Sequence, residues 1–373
     1  MIESSAVIIV NYNSPDYALA ALASAWGAAH FGGGLKKGTR LILVDNGSTD
    51  KSAERFVDVL TGQKPAAVME MRPGVEYLLP PPEAVRFVTS TKGRVRADQC
   101  DAPVTVVLAN QNRGFASGCN IGLRLVGALG LDMAILLNPD AVMTATTIRA
   151  FADAFSENEK LGLAGATIRH HDAPYKLQAA GGAKLSSWTL LGQNQMEGML
   201  LEALPEGGVE IDYPHGAAMA VSAAFLKEVG FMDEQHFLYY EEADWAAQGG
   251  DNWTCKWVRG ASVFHHRGIV TQSHNVEKSG TPSRSPLSDY HMIRSRMIFA
   301  SKWHQSKLGF LYVASLLQAL RRVMRGQKAQ AKAVLDGVRE WQEPQSLEYK
   351  PALPIGLEGT ESCASATFSA SSQ

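Results

Sequence analysis

Cysteine is scarce in this 373-residue chain. Cys100, Cys119, Cys255 and Cys363 are its four, and no two stand in CxxC spacing. Such scatter argues against a disulfide framework, and the four read as reduced thiols of a cytosolic protein. An excess of one charge is also missing, since Lys+Arg number 35 and Asp+Glu 37. That balance gives no basic footprint for nucleic acid. No apolar run reaches the roughly 20 residues that a membrane-spanning helix needs. The first apolar run opens at Val7, so no signal peptide is expected at the N-terminus. No internal repeat is seen. The chain is long enough to bury one large core and carry an extension.

Four short apolar runs are present, each stopped by polar turn formers. Val7-Ile8-Ile9-Val10 leads into Asn11-Tyr12-Asn13-Ser14, and Leu41-Ile42-Leu43-Val44 into Asp45-Asn46-Gly47-Ser48. The run from Val104 to Leu108 precedes Asn110-Gln111-Asn112-Arg113-Gly114, and Ala134 to Leu137 precedes Asn138-Pro139-Asp140. Each is too short for a helix and reads as a buried strand. Helix-like stretches lie between them, Ala18 to Trp26 and Ser52 to Leu60, the second capped by Ser48 or Asp50. Strands alternating with helices imply a parallel sheet covered on both faces, with ligands beyond the carboxyl ends of the strands. Asn11, Asp45, Asn112 and Asp140 stand at those ends.

Further along, Glu241, Glu242 and Asp244 sit inside Phe237-Leu238-Tyr239-Tyr240 and Trp245. A helix N-terminus favours acids, but that effect does not explain the aromatic frame. Carboxylates held against apolar surface have raised pKa values and take protons near neutral pH. The segment reads as the wall of a site that needs a general base.

In order, the chain carries VIIVNYNS, LILVDNGSTD, NRGFASGCNIGL, LLNPDA, HGAAMAVSAAFLKEVGFMDEQHFLYYEEADW and VFHH, with a weaker YHMIRSRMIF after them. This ordered set resembles the inverting family 2 glycosyltransferases, close to their bacterial rhamnosyltransferase-like branch. The resemblance implies the GT-A nucleotide-diphospho-sugar transferase fold: a Rossmann-like α/β domain whose mostly parallel sheet is flanked by helices. It implies transfer from a UDP- or dTDP-sugar donor to a glycan acceptor, lipid-linked in bacterial polysaccharide assembly, with Mg²⁺ or Mn²⁺ as cofactor. The implied setting is cytoplasmic, at the inner face of the membrane.

Residue by residue, the resemblance places Asp45 on the imide N–H of uracil or thymine, with Asn11 and Asn13 in the same pocket. A turn cap is the other reading of Asp45. Asn112, Arg113 and Gly114 fall in the next loop, Gly114 for close backbone approach and Arg113 against phosphate charge. Asn138-Pro139-Asp140 stands where the family has its metal-binding Asp-x-Asp; Asn138 replaces the first acid, and Asp140 remains a hard oxygen ligand. His265 is placed at the metal or the diphosphate. Gly216 lies under the sugar, although His215 replaces a small residue there. Glu242 takes the place of the family's base Asp, with Asp244 in reserve and Glu241 on acceptor hydroxyls or orienting the pair.

Residues 1–286 are expected to form the catalytic domain, with 61–103, rich in proline, as an insertion that reads as solvated decoration or as a lid. Residues 161–213 are expected to bring irregular strands toward His215. Residues 287–343 read as a helical extension and 344–373 as a disordered tail. From Trp303 to Lys328 an apolar helical face is flanked by basic residues. It either packs on the catalytic domain or lies on an anionic membrane. Two rival functions remain. A nucleotidyltransferase of related fold lacks support, because Asn11-Tyr12-Asn13-Ser14 stands where its Gly-rich loop belongs. An inactive sugar-nucleotide-binding subunit is supported only by Asn138 and Glu242.

Overall fold

The computed structural model describes residues 1–205, 207–266, 272–276 and 282–343. The expected tail, 344–373 with Cys363, lies outside the described residues. In chain order the first half runs β1 (Ser5–Asn11), α1 (Pro15–Phe31), β2 (Thr39–Asn46), α2 (Ser52–Leu60), β3 (Val85–Thr89), β4 (Val104–Ala109), α3 (Phe115–Ala128), β5 (Met133–Leu137), β6 (Ala141–Met143) and α4 (Thr147–Glu157). There follow β7 (Leu161–His170), β8 (Leu177–Ala180), β9 (Gly182–Leu185), β10 (Gly192–Asn194), β11 (Tyr213–Pro214), β12 (Ala218–Ser222), α5 (Ala223–Glu228), α6 (Glu241–Gly249) and β13 (Thr254–His265). The chain then forms β14 (Gln272–Val276), β15 (Pro282–Arg284), α7 (Pro286–Trp303), α8 (Leu308–Met324) and α9 (Lys328–Arg339).

A ten-stranded sheet in the order β3-β4-β2-β1-β5-β12-β7-β13-β6, with β8 on β7, is the spine of the molecule. Strands β3, β4, β2, β1 and β5 are mutually parallel, and β12 runs antiparallel between β5 and β7. This is the expected mixed α/β architecture, a mostly parallel sheet flanked by helices. Strand β1 is buried along its whole length, as a central parallel strand covered on both faces must be. Phe56 of α2 and Phe151 of α4 join α1 in the core on one face. Cys119 and Leu123 of α3, Phe225 of α5 and Trp245 of α6 fill the other. Helix α3 lies close to β1 because a Cβ at Gly118 would meet Val10 at 2.6 Å, and one at Gly122 would meet Ile8 at 2.7 Å.

The 61–103 segment is solvated along much of its length but is also tied to the domain. Its Val85–Thr89 stretch forms the parallel edge strand β3 on β4. Its Val75 is 2% exposed, and the Leu78 N–H donates to the Ala23 carbonyl of α1 at 3.1 Å. Apolar residues hidden among the prolines find a surface on α1 and β6, so the segment straps the domain instead of projecting from it. Of the two residues expected to cap α2, only Asp50 reaches the start of the helix. Ser48 is engaged with Asp45, and Asp50 accepts from the Ser52 N–H at 3.1 Å.

Helix α7 begins with a cap, the Ser285 hydroxyl accepting from the Ser288 N–H at 3.1 Å. It is woven into the segment ahead of α6: Arg294 donates to the Gln235 carbonyl and Ser295 to the Leu238 carbonyl, each at 2.9 Å. Among the described residues no helix is long and apolar enough to cross a membrane.

Candidate active site

The carboxyl ends of the parallel strands place the expected polar residues along one edge of the sheet. Asn11 and Asp45 are register partners on β1 and β2. Both are almost fully buried, and the Asn11 side-chain amide donates to Asp45 Oδ1 at 3.0 Å and to Ser48 Oγ at 3.1 Å. Ser48 also donates to Asp45 Oδ1. Burial pushes the Asp45 carboxyl up, and the bonds from Ser48 and Asn11 only partly offset it. Asn13 sits at φ 54°, in the left-handed region that Asn tolerates, and accepts from the Thr49 N–H at 2.8 Å. The turn-capping reading of Asp45 is thus met by its bonds to Ser48 and Asn11.

Asn112 accepts from Asn46 at 3.1 Å and from the Gly114 N–H at 2.9 Å, while Arg113 is exposed. Gly114 adopts φ +94°, and a Cβ there would lie 2.6 Å from the Phe237 carbonyl oxygen. The close approach that this glycine permits is thus to the segment leading into the acidic helix. The Phe115 N–H closes that contact, donating to Phe237 O at 2.8 Å.

Asp140 and His265 meet where β6 and β13 pair. His265 Nε2 lies 3.2 Å from Asp140 Oδ1, and both residues are under 10% exposed. Gln178, which the sequence reading missed, settles the imidazole. Its amide nitrogen donates to the His265 carbonyl at 2.7 Å, which turns its oxygen toward His265 Nδ1 at 2.9 Å. Nδ1 must then carry the hydrogen, and Nε2 is the ring atom that faces Asp140. A histidine oriented by an outer hydrogen bond, with a carboxylate next to its other nitrogen, fits a divalent cation. Asn138 is fixed through its backbone, its N–H donating to Ala217 O at 3.0 Å.

The acidic segment is built on unusual backbone. Tyr239 and Tyr240 both have left-handed φ, 70° and 68°, a conformation that costs roughly 1–3 kcal/mol at each such residue. It turns the chain sharply into α6, so that Glu241 and Glu242 open the first turn. The Tyr240 hydroxyl anchors the turn by donating to the Leu190 carbonyl at 2.8 Å.

Three acids that look alike in sequence receive three environments. Glu242 faces Gly216 and is partly exposed in a pocket that also holds Tyr213, Tyr239, Tyr240 and Glu241; burial pushes its carboxyl up to about 7. Glu241 is 2% exposed, and its Oε2 finds no hydrogen-bond partner among the described residues. Burial first, and Glu242 second, raise its pKa well above the usual carboxylate range. Asp244 is different. Burial pushes it up, but His236 at 3.7 Å, the Lys302 ammonium at 2.6 Å and the Trp303 indole at 2.7 Å together hold it well below that range. Gln248 donates to it as well, at 2.6 Å. A carboxylate so engaged is an anchor for α7, and the reserve base role expected for Asp244 is not supported by its surroundings.

Two other clusters have donor atoms close enough to hold a cation, Asp233 with His236 and Asp244, and His171 with Asp172 and His266. Each already carries a positive side chain. Lys302 bonds Asp233 at 3.0 Å as well as Asp244. Arg72, from the insertion, donates to His171 Nδ1 at 2.8 Å. Neither competes with Asp140 and His265 as the candidate metal pair.

No family model matches the chain. Among curated proteins it is similar to the low-salt glycan biosynthesis hexosyltransferase Agl10 of Haloferax volcanii, 28% identical over 137 residues, 36% of this chain and 42% of that protein. It is also similar to the N-acetylglucosaminyl-diphospho-decaprenol L-rhamnosyltransferase of Mycobacterium tuberculosis, 25% identical over 218 residues, 54% of this chain and 68% of that protein. The matched stretch thus spans less than half the length of the first relative. A solved structure of GalNAc-T7 with UDP, GalNAc and Mn²⁺ aligns over 92% of this chain and 56% of that one, at 11% identity and a TM-score of 0.48.

Proposed function

We propose that this protein is an inverting glycosyltransferase that moves a sugar from a UDP- or dTDP-sugar to a glycan acceptor, as its relatives named hexosyltransferase and rhamnosyltransferase suggest. The observation that carries the proposal is the place of Glu242: its carboxyl lies against Gly216 in a partly open pocket, at the sheet edge that also bears Asp140 and His265, and burial raises its pKa. A general base works best with a pKa near the working pH.

In this scheme Asp45, with Asn11 and Ser48, receives the base of the nucleotide. Asp140 and His265 would hold a divalent ion, with Gln178 fixing the imidazole; when bound, the ion neutralises charge on the departing diphosphate. The acceptor hydroxyl lies over the Glu241–Glu242 wall. Glu242 takes its proton as the oxygen bonds to the anomeric carbon, the bond from that carbon to the diphosphate oxygen breaks, and the proton later leaves to solvent. One displacement inverts the anomeric centre and needs no nucleophile from the chain. Glu241, whose pKa burial and Glu242 raise, orients the pair or contacts acceptor hydroxyls. The relative that acts on a diphospho-decaprenol substrate makes a lipid-linked acceptor the favoured class.

The test is release of nucleoside diphosphate from UDP- and dTDP-sugars by the intact chain and by Glu242→Gln. Release that requires acceptor and vanishes in the variant, with donor binding kept, is the expected result. Absence of both binding and release with every donor, including GDP- and CMP-sugars, would sink the proposal.

A further inference from the structure

Helix α8 buries only a narrow stripe, Leu311, Ser315 and Ala319, each one turn from the next. Its wider apolar face is open: Phe310 is 48%, Leu317 51%, Leu320 54% and Met324 71% exposed. The packing on the catalytic domain that its sequence also allows is therefore not adopted among the described residues. An exposed apolar face of this extent marks a contact surface.

Two observations identify what it contacts. The first is charge. From Tyr290 to Leu335 the sequence contains no Asp or Glu, and Lys307, Arg321, Arg325 and Lys328 flank the apolar face. An apolar face whose own segment supplies cations and no acids is complementary to an anionic lipid surface, and α8 is suited to lie in that interface rather than cross it. The second is continuity with the candidate site. Trp188, 73% exposed, meets Phe310 edge to face with ring centroids 6.3 Å apart. Two residues on, Leu190 is buried and its carbonyl holds the Tyr240 hydroxyl, and Leu191 lines the Glu241–Glu242 pocket. A single short loop thus links the exposed face to that pocket.

We propose that α8 and Trp188 together form a docking surface for an anionic bilayer, which presents the Glu241–Glu242 pocket to an acceptor whose lipid anchor stays in the membrane. The second half of this proposal rests on the glycosyltransferase reading; the docking itself does not.

The experiment is flotation of the full chain at low salt with phosphatidylcholine vesicles, with and without phosphatidylglycerol. The intact chain is expected to float only with the anionic vesicles. Leu317→Glu with Leu320→Glu should lower partitioning at least tenfold, and Trp188→Ser should lower it measurably. Both positions are exposed, so thermal melting should match the parent. Arg321→Glu with Arg325→Glu provides an independent arm should the apolar variants misfold. Nucleoside diphosphate release with a lipid-free acceptor should be unchanged in all of them. If release fails everywhere while flotation holds, the enzymatic reading falls and docking stands. If the intact chain stays in the soluble fraction, floats equally well as the variants, or uses this face for a dimer that Leu320→Glu splits, the docking surface is refuted.

Discussion

A Cβ at position 216 would lie 1.8 Å from the Oε1 of Glu242. The missing side chain of Gly216 is what lets that carboxylate rest against the segment under the proposed sugar site. Gly216→Ala should therefore fold normally, because the clash is with the far end of a flexible side chain. It should push Glu242 out of position and lower kcat about 100-fold, the scale expected when a reacting group is misplaced by about 1 Å. Titration calorimetry should find nucleotide affinity unchanged. A variant of normal kcat would show that Glu242 does not work from this position.

The pH dependence follows from the same carboxyl. With a pKa pushed up to about 7, Glu242 is proton-free only above that value, so the rate should rise with pH through a midpoint near 7. Stability should run the other way. An acid whose folded pKa exceeds its unfolded value of about 4.5 binds its proton more tightly when folded, so stability falls as pH rises from about 4.5 through about 7. Glu242→Gln should make this slope shallower in chemical denaturation, with the remainder carried by Glu241, and lower turnover about 10²–10⁴-fold. A slope as steep as the parent's would place the ionisation elsewhere.

The Gln178 pair of bonds to His265 gives a test separate from catalysis. Gln178→Leu should weaken Mn²⁺ binding about 10–100-fold, as loss of an outer hydrogen bond does at metal-ligating histidines. Asp140→Ala should remove binding and metal-dependent turnover with the fold intact. Binding followed by electron paramagnetic resonance reads both. Unchanged affinity in Gln178→Leu would mean that the imidazole is held without its amide.

Asp244 makes an opposite prediction from Glu242. Its lone pairs are taken by Lys302, Trp303 and Gln248 in a fully buried setting. Asp244→Asn should destabilise by about 1–3 kcal/mol, because the charge-assisted bonds from Lys302 and Trp303 are weakened while Lys302 keeps Asp233 as its counter-charge. The residual folded enzyme should keep its pH midpoint. A normal melting temperature with lost activity would instead make Asp244 the base.

Much of this protein was decided locally. The alternation of short apolar runs with helical stretches dictates a parallel sheet, since strand and helix periods are written in neighbouring residues. The polar residues ending those runs, Asn11, Asp45, Asn112 and Asp140, were legible for the same reason. What neighbours cannot encode is who arrives from far away. Glu242 and Asp244 look interchangeable in the chain; Lys302 and Trp303, 58 and 59 positions beyond Asp244, take up one and leave the other open. Gln178 reaches His265 across 87 positions, with no motif to announce it. The space beside Gly114 went to the Phe237 backbone, and the proline-rich insertion found its apolar partners on α1 and β6. The open face of α8 belongs to the same class: an amphipathic stripe specifies that a helix has an apolar side, and only the packing of the other elements decides whether that side is covered.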